Sequence, residues 1–142
     1  MYPSDPLKMR VLANIVRAMA AKRVLEIGCG LGYSALWLAE AAGPGGSVET
    51  VDRFPEHAEL AEGFAKEAAL VSRVKVLTGD SDAVLSGLRG PYDFVHDDGL
   101  VRSQAPALPA GSGASPGGWR PRDVQLVPAC TVDGGGAEHG LE

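Results

Sequence analysis

The stretch VLEIGCGLGYSALWLAE, residues 24–40, decides the fold. An apolar run closes on an acid, Glu26. Three glycines follow at alternate positions, Gly28, Gly30 and Gly32, and a helix-like pattern then begins. A buried-type strand that turns sharply into a helix is the opening unit of an α/β sheet.

The same alternation continues outward. Leu7, Val11, Leu12, Ile15, Val16 and Met19 recur at helical spacing, which predicts an amphipathic helix before the first strand, Arg23 to Ile27. The helix after the glycines should run from Gly32 to about Ala42 and stop at the turn GPGG, residues 43–46. Ser47 to Asp52 reads as a second strand. Pro55 suits the start of a helix reaching about Leu70, with Leu60, Ala61, Phe64 and Ala68 inward. Arg73 to Leu77 reads as a third strand, and Ser81 as the cap of a short helix carrying Val84, Leu85 and Leu88. Tyr92 to Asp97 is a fourth strand, with Tyr92, Phe94 and His96 expected on one face and Asp93, Val95 and Asp97 on the other. Strands alternating with helices predict an α/β, Rossmann-like, doubly wound parallel sheet, incomplete on its C-terminal side.

Beyond Val101 no sustained periodicity appears, and Gly and Pro make up about a third of residues 102–142. The domain is therefore expected over residues 1–101, with an irregular tail over 102–142. The strand-like run in that tail is VQLVPACTV, residues 124–132, interrupted by Pro128. Two readings of the tail stand: a native flexible extension, or translation out of frame, the latter preferred.

Composition removes several classes of function. A net charge of -5 argues against a nucleic-acid footprint. No basic run marks a membrane surface, no apolar stretch spans a bilayer, and MYPSDPLKMR has no signal-peptide pattern. Cys29 and Cys130 lack zinc-ligand spacing and read as reduced thiols of a cytoplasmic protein.

The candidate site lies where the parallel strands end. The glycine turn and the helix N-terminus near Gly32 to Ser34 suit a nucleotide-like ligand. A dinucleotide fingerprint places its third glycine where this chain has Tyr33, and no P-loop lysine follows. Glu26 disfavours a pyrophosphate and suits a ligand with a cationic part, unless it serves to bond turn amides. Asp52 can accept from ribose hydroxyls, unless it is a solvated strand end. Gly79, Asp80 and Ser81 could frame an adenine, and Asp98 could ligate a hard cation. His96 is read as a satisfied histidine packed beside a helix.

Together, the set E-x-G-x-G-x-G-Y-S at 26–34, Asp52, GDSDAVL at 79–85 and YDFVHDD at 92–98 resembles the class I S-adenosylmethionine-dependent methyltransferases. Within them it resembles the cation-dependent O-methyltransferases, the catechol and caffeoyl-CoA group. The likeness covers roughly residues 3 to 100. It implies methyl transfer from S-adenosylmethionine to a hydroxyl of a small, catechol-like acceptor, with Mg2+ or another divalent cation. It places Glu26 and Gly28 beside the methionine part of the cofactor, Ser34 on its carboxylate, Asp52 on its ribose and Ser81 with its neighbours at the adenine. It puts Ser4 in a segment covering the cofactor, and makes Asp98 both a cofactor contact and a metal ligand. Gly30, Gly32, Tyr33, Arg53, Gly79 and Asp80 complete the implied cofactor set.

Three departures bear on catalysis. Val101 stands where the family has a proposed lysine base. No Asp-Asn pair supplies further metal ligands, Asp133 being the nearest echo. His96 replaces an apolar residue. The resemblance therefore supports cofactor binding more than catalysis by this chain. The rival reading is a non-catalytic nucleoside-binding or homo-oligomerising module; a nicotinamide enzyme is disfavoured by Tyr33 and Glu26.

Overall fold

The computed structural model describes residues 4–98 and the backbone of residues 124–126. Helix α1 (Pro6–Ala18) leads into β1 (Arg23–Ile27), α2 (Tyr33–Ala42), β2 (Ser47–Asp52) and α3 (Pro55–Glu67). Then follow β3 (Val74–Thr78), α4 (Ser81–Gly87), β4 (Tyr92–Asp97) and β5 (Val124–Leu126). The strands form one parallel sheet in the order β3-β2-β1-β4-β5. The order reverses direction beside β1, so the switch point falls between β1 and β4, where α/β sheets open a crevice at their carboxyl ends.

Two apolar layers cover the sheet. Val24, Val48, Val74 and Phe94 pack with Met9, Ala13 and Val16 of α1, Ala35, Leu38 and Ala39 of α2, and Ala65 of α3. On the other face, Leu25, Val51 and Val95 pack with Val84, Leu85 and Leu88 from α4 and the residue after it. Strands covered on both faces need apolar residues at successive positions, which is why Val24 and Leu25 are both fully buried.

Several expectations are corrected. In α3 the inward residues are Ala58, Ala61 and Ala65, whereas Leu60 and Phe64 are exposed by 47% and 41% and Ala68 is also exposed. The cause is close approach: a Cβ on Gly32 would come within 2.7 Å of the Ala61 Cβ, so only small residues fit this contact. In α1 the buried row is Met9, Ala13 and Val16; Leu12 and Ile15 are half-buried, and Leu7, Val11 and Met19 face outward. These three buried positions, spaced four and three apart, form the stripe that meets α2 and the sheet.

Tyr92 packs with Leu25 and Val95 instead of sharing the layer of Phe94. The ladder between β1 and β4 begins at Phe94, because the Arg23 N–H is taken by the Asp93 carboxylate, so Tyr92 lies before the part of β4 that pairs with β1. The cap of α4 is Asp80, which accepts from the N–H groups of Asp82 and Ala83, and Ser81 is the first helical residue. A carboxylate is the stronger acceptor at a helix N-terminus.

The sheet also extends past residue 101. Val124–Leu126 pairs in parallel with β4, Tyr92 opposite Val124 and Val95 opposite Leu126, with an irregularity between. This strand falls inside the run that the sequence marks as strand-like, so the expected four strands become five. The remainder of the 102–142 tail, including Asp133 and Cys130, lies outside the described residues, as does Val101.

Candidate functional site

The turn after β1 is built on Gly28, Gly30 and Gly32, whose φ angles are 94°, 52° and 79°. The Gly28 N–H donates to the Val51 carbonyl at 2.8 Å, which ties the turn to the end of β2. Such φ values favour residues without a Cβ. At Gly32 the missing side chain also serves packing, since Ala61 fills that space.

Asp52 closes β2 and grips the same turn. Its Oδ2 accepts from the Gly30 N–H at 2.9 Å; its Oδ1 accepts from the Phe54 N–H at 3.0 Å and from His57 Nδ1 at 3.0 Å. A carboxylate at this point holds the glycine turn and the start of α3 together, with its side chain 9% exposed. Beside it, Arg53 reaches Asp80 at 3.5 Å, linking the ends of β2 and β3. Gly79 (φ 151°) makes the turn between them, and its N–H donates to the Asp52 carbonyl at 2.9 Å. Ser81 stands half-buried after Asp80.

Glu26 lies beneath the glycine turn. It is 0% exposed. Its Oε2 accepts from the Thr50 hydroxyl at 2.7 Å, and its Oε1 lies 3.3 Å from His96 Nδ1. Thr50, Glu26 and His96 are paired neighbours on β2, β1 and β4, so they form one polar row across the sheet beneath the turn. Neither turn amides nor solvent reach this carboxylate. His96 is likewise only half satisfied: its Nε2 is buried with no hydrogen-bond partner among the described residues. Ser34, in the first turn of α2, is 4% exposed and also lies below the accessible surface, while Tyr33 is half-buried against Trp37.

At the mouth of β4, Asp98 Oδ1 pairs with Lys8 Nζ at 2.7 Å and its Oδ2 accepts from the Ser4 hydroxyl at 2.9 Å. Burial raises the Asp98 pKa, but the bonds from Lys8 and Ser4, with the charges of Lys8 and His96, outweigh it and hold the group below the usual carboxylate range. Ser4 and Asp98 are thus in direct contact. The metal role is not supported by the donor set: both Asp98 oxygens are engaged, one by an ammonium, and no cluster of three potential ligands exists among the described residues. Hard divalent cations take several oxygen donors.

Near the turn, the Cys29 thiol is 3% exposed. Burial, reinforced by the Glu26 and Asp52 charges against bonds involving Thr50 and Gly32, pushes its pKa up to about 12. Three residues with site contacts escaped the sequence reading. Thr50 is one, and His57, five positions after Asp52, is another. Lys8, in the first turn of α1, is the third: its ammonium meets Asp98, which Ser4 also contacts.

The structure thus collects Gly28, Gly30, Asp52, Gly79, Asp80, Ser81 and Asp98 at the carboxyl edge of one sheet, with Glu26 and Ser34 below them. No helix among the described residues is long and apolar enough to cross a membrane. Known proteins resemble this chain in sequence and fold. The family model for O-methyltransferases matches residues 5–99. A catechol O-methyltransferase of Mycobacterium tuberculosis is 41% identical over 90 residues, covering 63% of this chain and 41% of the relative. A cofactor-bound structure from MTB superposes with a TM-score of 0.65 at 38% identity, covering 67% of this chain and 44% of that one. An O-methyltransferase from Bacillus cereus in complex with SAH gives a TM-score of 0.63 at 32% identity, covering 68% and 46%. This chain spans less than half the length of the curated relatives it matches. With the family model covering the helices, the glycine turn and the first four strands, the chain belongs to the O-methyltransferase family.

Proposed function

We propose that residues 4–98 are the S-adenosylmethionine-binding part of an O-methyltransferase that acts on a hydroxyl of a small, catechol-like molecule. The observation that carries this is Asp52. Its carboxylate is fixed against the glycine turn by the Gly30 N–H, and Oδ2 retains room for another donor, as a ribose hydroxyl requires. The donor set fits a nucleoside with a cationic portion. The turn lets a ligand approach the backbone, its own residues 28–32 include no lysine or arginine for a pyrophosphate, and Asp52 and Asp98 are carboxylates at the strand ends.

When bound, S-adenosylmethionine supplies an electrophilic methyl group for in-line displacement by an acceptor oxygen. The residues of this chain bind and orient. Gly28 and Gly30 present backbone, Asp52 takes a ribose hydroxyl, and Gly79, Asp80 and Ser81 border the base. Asp98, steadied by Lys8 and Ser4, places a negative charge at the mouth of β4. Glu26 and Ser34 form the floor. A divalent cation is not part of the proposal, because Asp98 is already paired and no group of three potential ligands exists among the described residues. Val101 has no group that can take a proton from an acceptor hydroxyl. Pairing of copies, through outward residues such as Leu7 (68% exposed) and Val11 (52%), completes the proposal.

Calorimetry tests the cofactor. S-adenosylmethionine and S-adenosylhomocysteine should bind, and NAD should not. Absence of binding by both sulfur nucleosides, or tighter binding of NAD, would overturn the reading. Methyl transfer to catechol, with and without Mg2+, tests whether this chain is itself active, and sedimentation tests pairing.

A further inference from the structure

We propose that His57 is a positioning residue for nucleoside binding: its Nδ1–H fixes the rotation of Asp52, so that Oδ2 faces the ligand. The inference rests on the reading of Asp52 as the ribose acceptor.

A carboxylate has about four acceptor positions and no proton to give when ionised. Asp52 spends three of them inside the protein. Oδ1 takes two bonds, from the Phe54 N–H and from His57, each at 3.0 Å; Oδ2 takes one, from Gly30 at 2.9 Å. Because the carboxylate can only accept, the Nδ1 of His57 carries the proton in this contact. One position is left, on Oδ2. The doubly occupied Oδ1 is thereby held toward α3, and the group cannot rotate without breaking a bond to the ring.

The imidazole is itself held. It is on the first turn of α3, its side chain is 21% exposed, and the Phe54 ring lies 5.0 Å away at 60°. The Phe54 ring on one side and the first turn of α3, opened by Pro55, on the other set the histidine, and the histidine sets the acid. A purely structural role is the competing account. Phe54 gives α3 no side-chain cap, so the Asp52–His57 bond could serve to anchor the helix to β2. The two accounts differ in what the ligand feels. An anchor stabilises the site for any ligand, whereas a positioning residue matters for a ligand that carries ribose hydroxyls.

The test measures affinity of the full chain for S-adenosylhomocysteine and for its 2′,3′-dideoxy analogue. The parent should prefer the diol by about a hundredfold, as expected of hydrogen bonds to an ionised group. Asp52→Ala should abolish that preference. His57→Ala should cut it about tenfold while leaving affinity for the dideoxy analogue unchanged, and His57→Asn, which keeps a donor near the Nδ1 position, should restore it to within about threefold. Should His57→Ala fail to fold, His57→Phe keeps a ring against Phe54 without the donor and is read in the same way. If Asp52→Ala lowers the preference while the histidine variants leave it intact, or weaken both ligands equally, the positioning role is overturned and the reading of Asp52 stands. If Asp52→Ala leaves the preference intact, the reading of Asp52 fails, and the role of His57 with it.

Discussion

The carboxylate of Glu26 and the imidazole of His96 meet across β1 and β4 at 3.3 Å, with the two residues 0% and 4% exposed. A third member, Thr50, donates to the other carboxylate oxygen. A buried acceptor that loses its donor carries its full desolvation cost. His96→Ala should therefore destabilise the fold by about 3 kcal/mol, the sum of an orphaned carboxylate oxygen and a cavity. His96→Asn keeps a donor near the Nδ1 position and should cost about half as much. Urea unfolding measures both; equal losses would show that the bond to Glu26 contributes nothing beyond volume.

This row also shows where sequence reading stops. Strand β1, strand β2 and strand β4 were legible to the residue, because apolar runs bounded by acids and glycines mark parallel strands. The register that sets Thr50, Glu26 and His96 side by side was not, because pairing depends on the whole sheet. Glu26 was legible as unusual and its destination was not. The same limit explains α3. Periodicity finds a helix, but the choice between the Leu60–Phe64 face and the Ala58–Ala61–Ala65 face depends on how closely Gly32 approaches. His57 was invisible because a residue five positions after Asp52 gains meaning through the turn between them. Fifth-strand pairing joins β4 to a segment far along the chain, which no local pattern foretells.

Gly32 offers a sharper test of that close approach. Its φ is 79°, and an added Cβ would stand 2.7 Å from the Ala61 Cβ and 3.0 Å from its Cα. Gly32→Ala should cost about 2–3 kcal/mol, combining backbone strain and overpacking. Adding Ala61→Gly removes the closer of these two contacts and leaves the approach to the Cα and the backbone strain. Thermal melts of both singles and the double should show the pair recovering about half of the loss, a non-additivity expected of residues in contact.

Acid should loosen the start of the sheet. The Asp93 carboxyl is held below its usual value, first by the Arg23 N–H and then by the Lys22 N–H, each at 2.8 Å. Burial raises Glu49, but bonds from Tyr92 and Arg23, with the charges of Arg23 and Lys75, bring it below its usual value. Folded values that lie below the unfolded ones stabilise the fold above about pH 4, and that contribution fades as pH falls through the folded values. The urea midpoint should be flat from pH 7 to 5 and fall below about pH 4. The Asp93→Asn/Glu49→Gln variant should be less stable at neutral pH and should show a shallower fall. An unchanged slope in that variant would assign the acid sensitivity to other groups.

Cys29 reports on the turn itself. Its thiol is 3% exposed with a pKa pushed up to about 12, burial being the larger cause and the Glu26 charge the next. Disulfide reagents react with the thiolate and need access to it. In a Cys130→Ser background, which leaves one thiol, labelling of the folded chain at pH 8 should be at least about a hundredfold slower than in urea. Reaction then proceeds through opening of the glycine turn, and the same turn is where the nucleoside is proposed to sit. A ligand bound to the closed form lowers the open population in proportion to its occupancy. S-adenosylhomocysteine at ten times its Kd should slow labelling by about a further tenfold, and NAD at the same concentration should leave the rate unchanged. Labelling of the folded chain at the unfolded rate would place the thiol outside the core, and a rate insensitive to S-adenosylhomocysteine would separate the opening of this turn from the binding site.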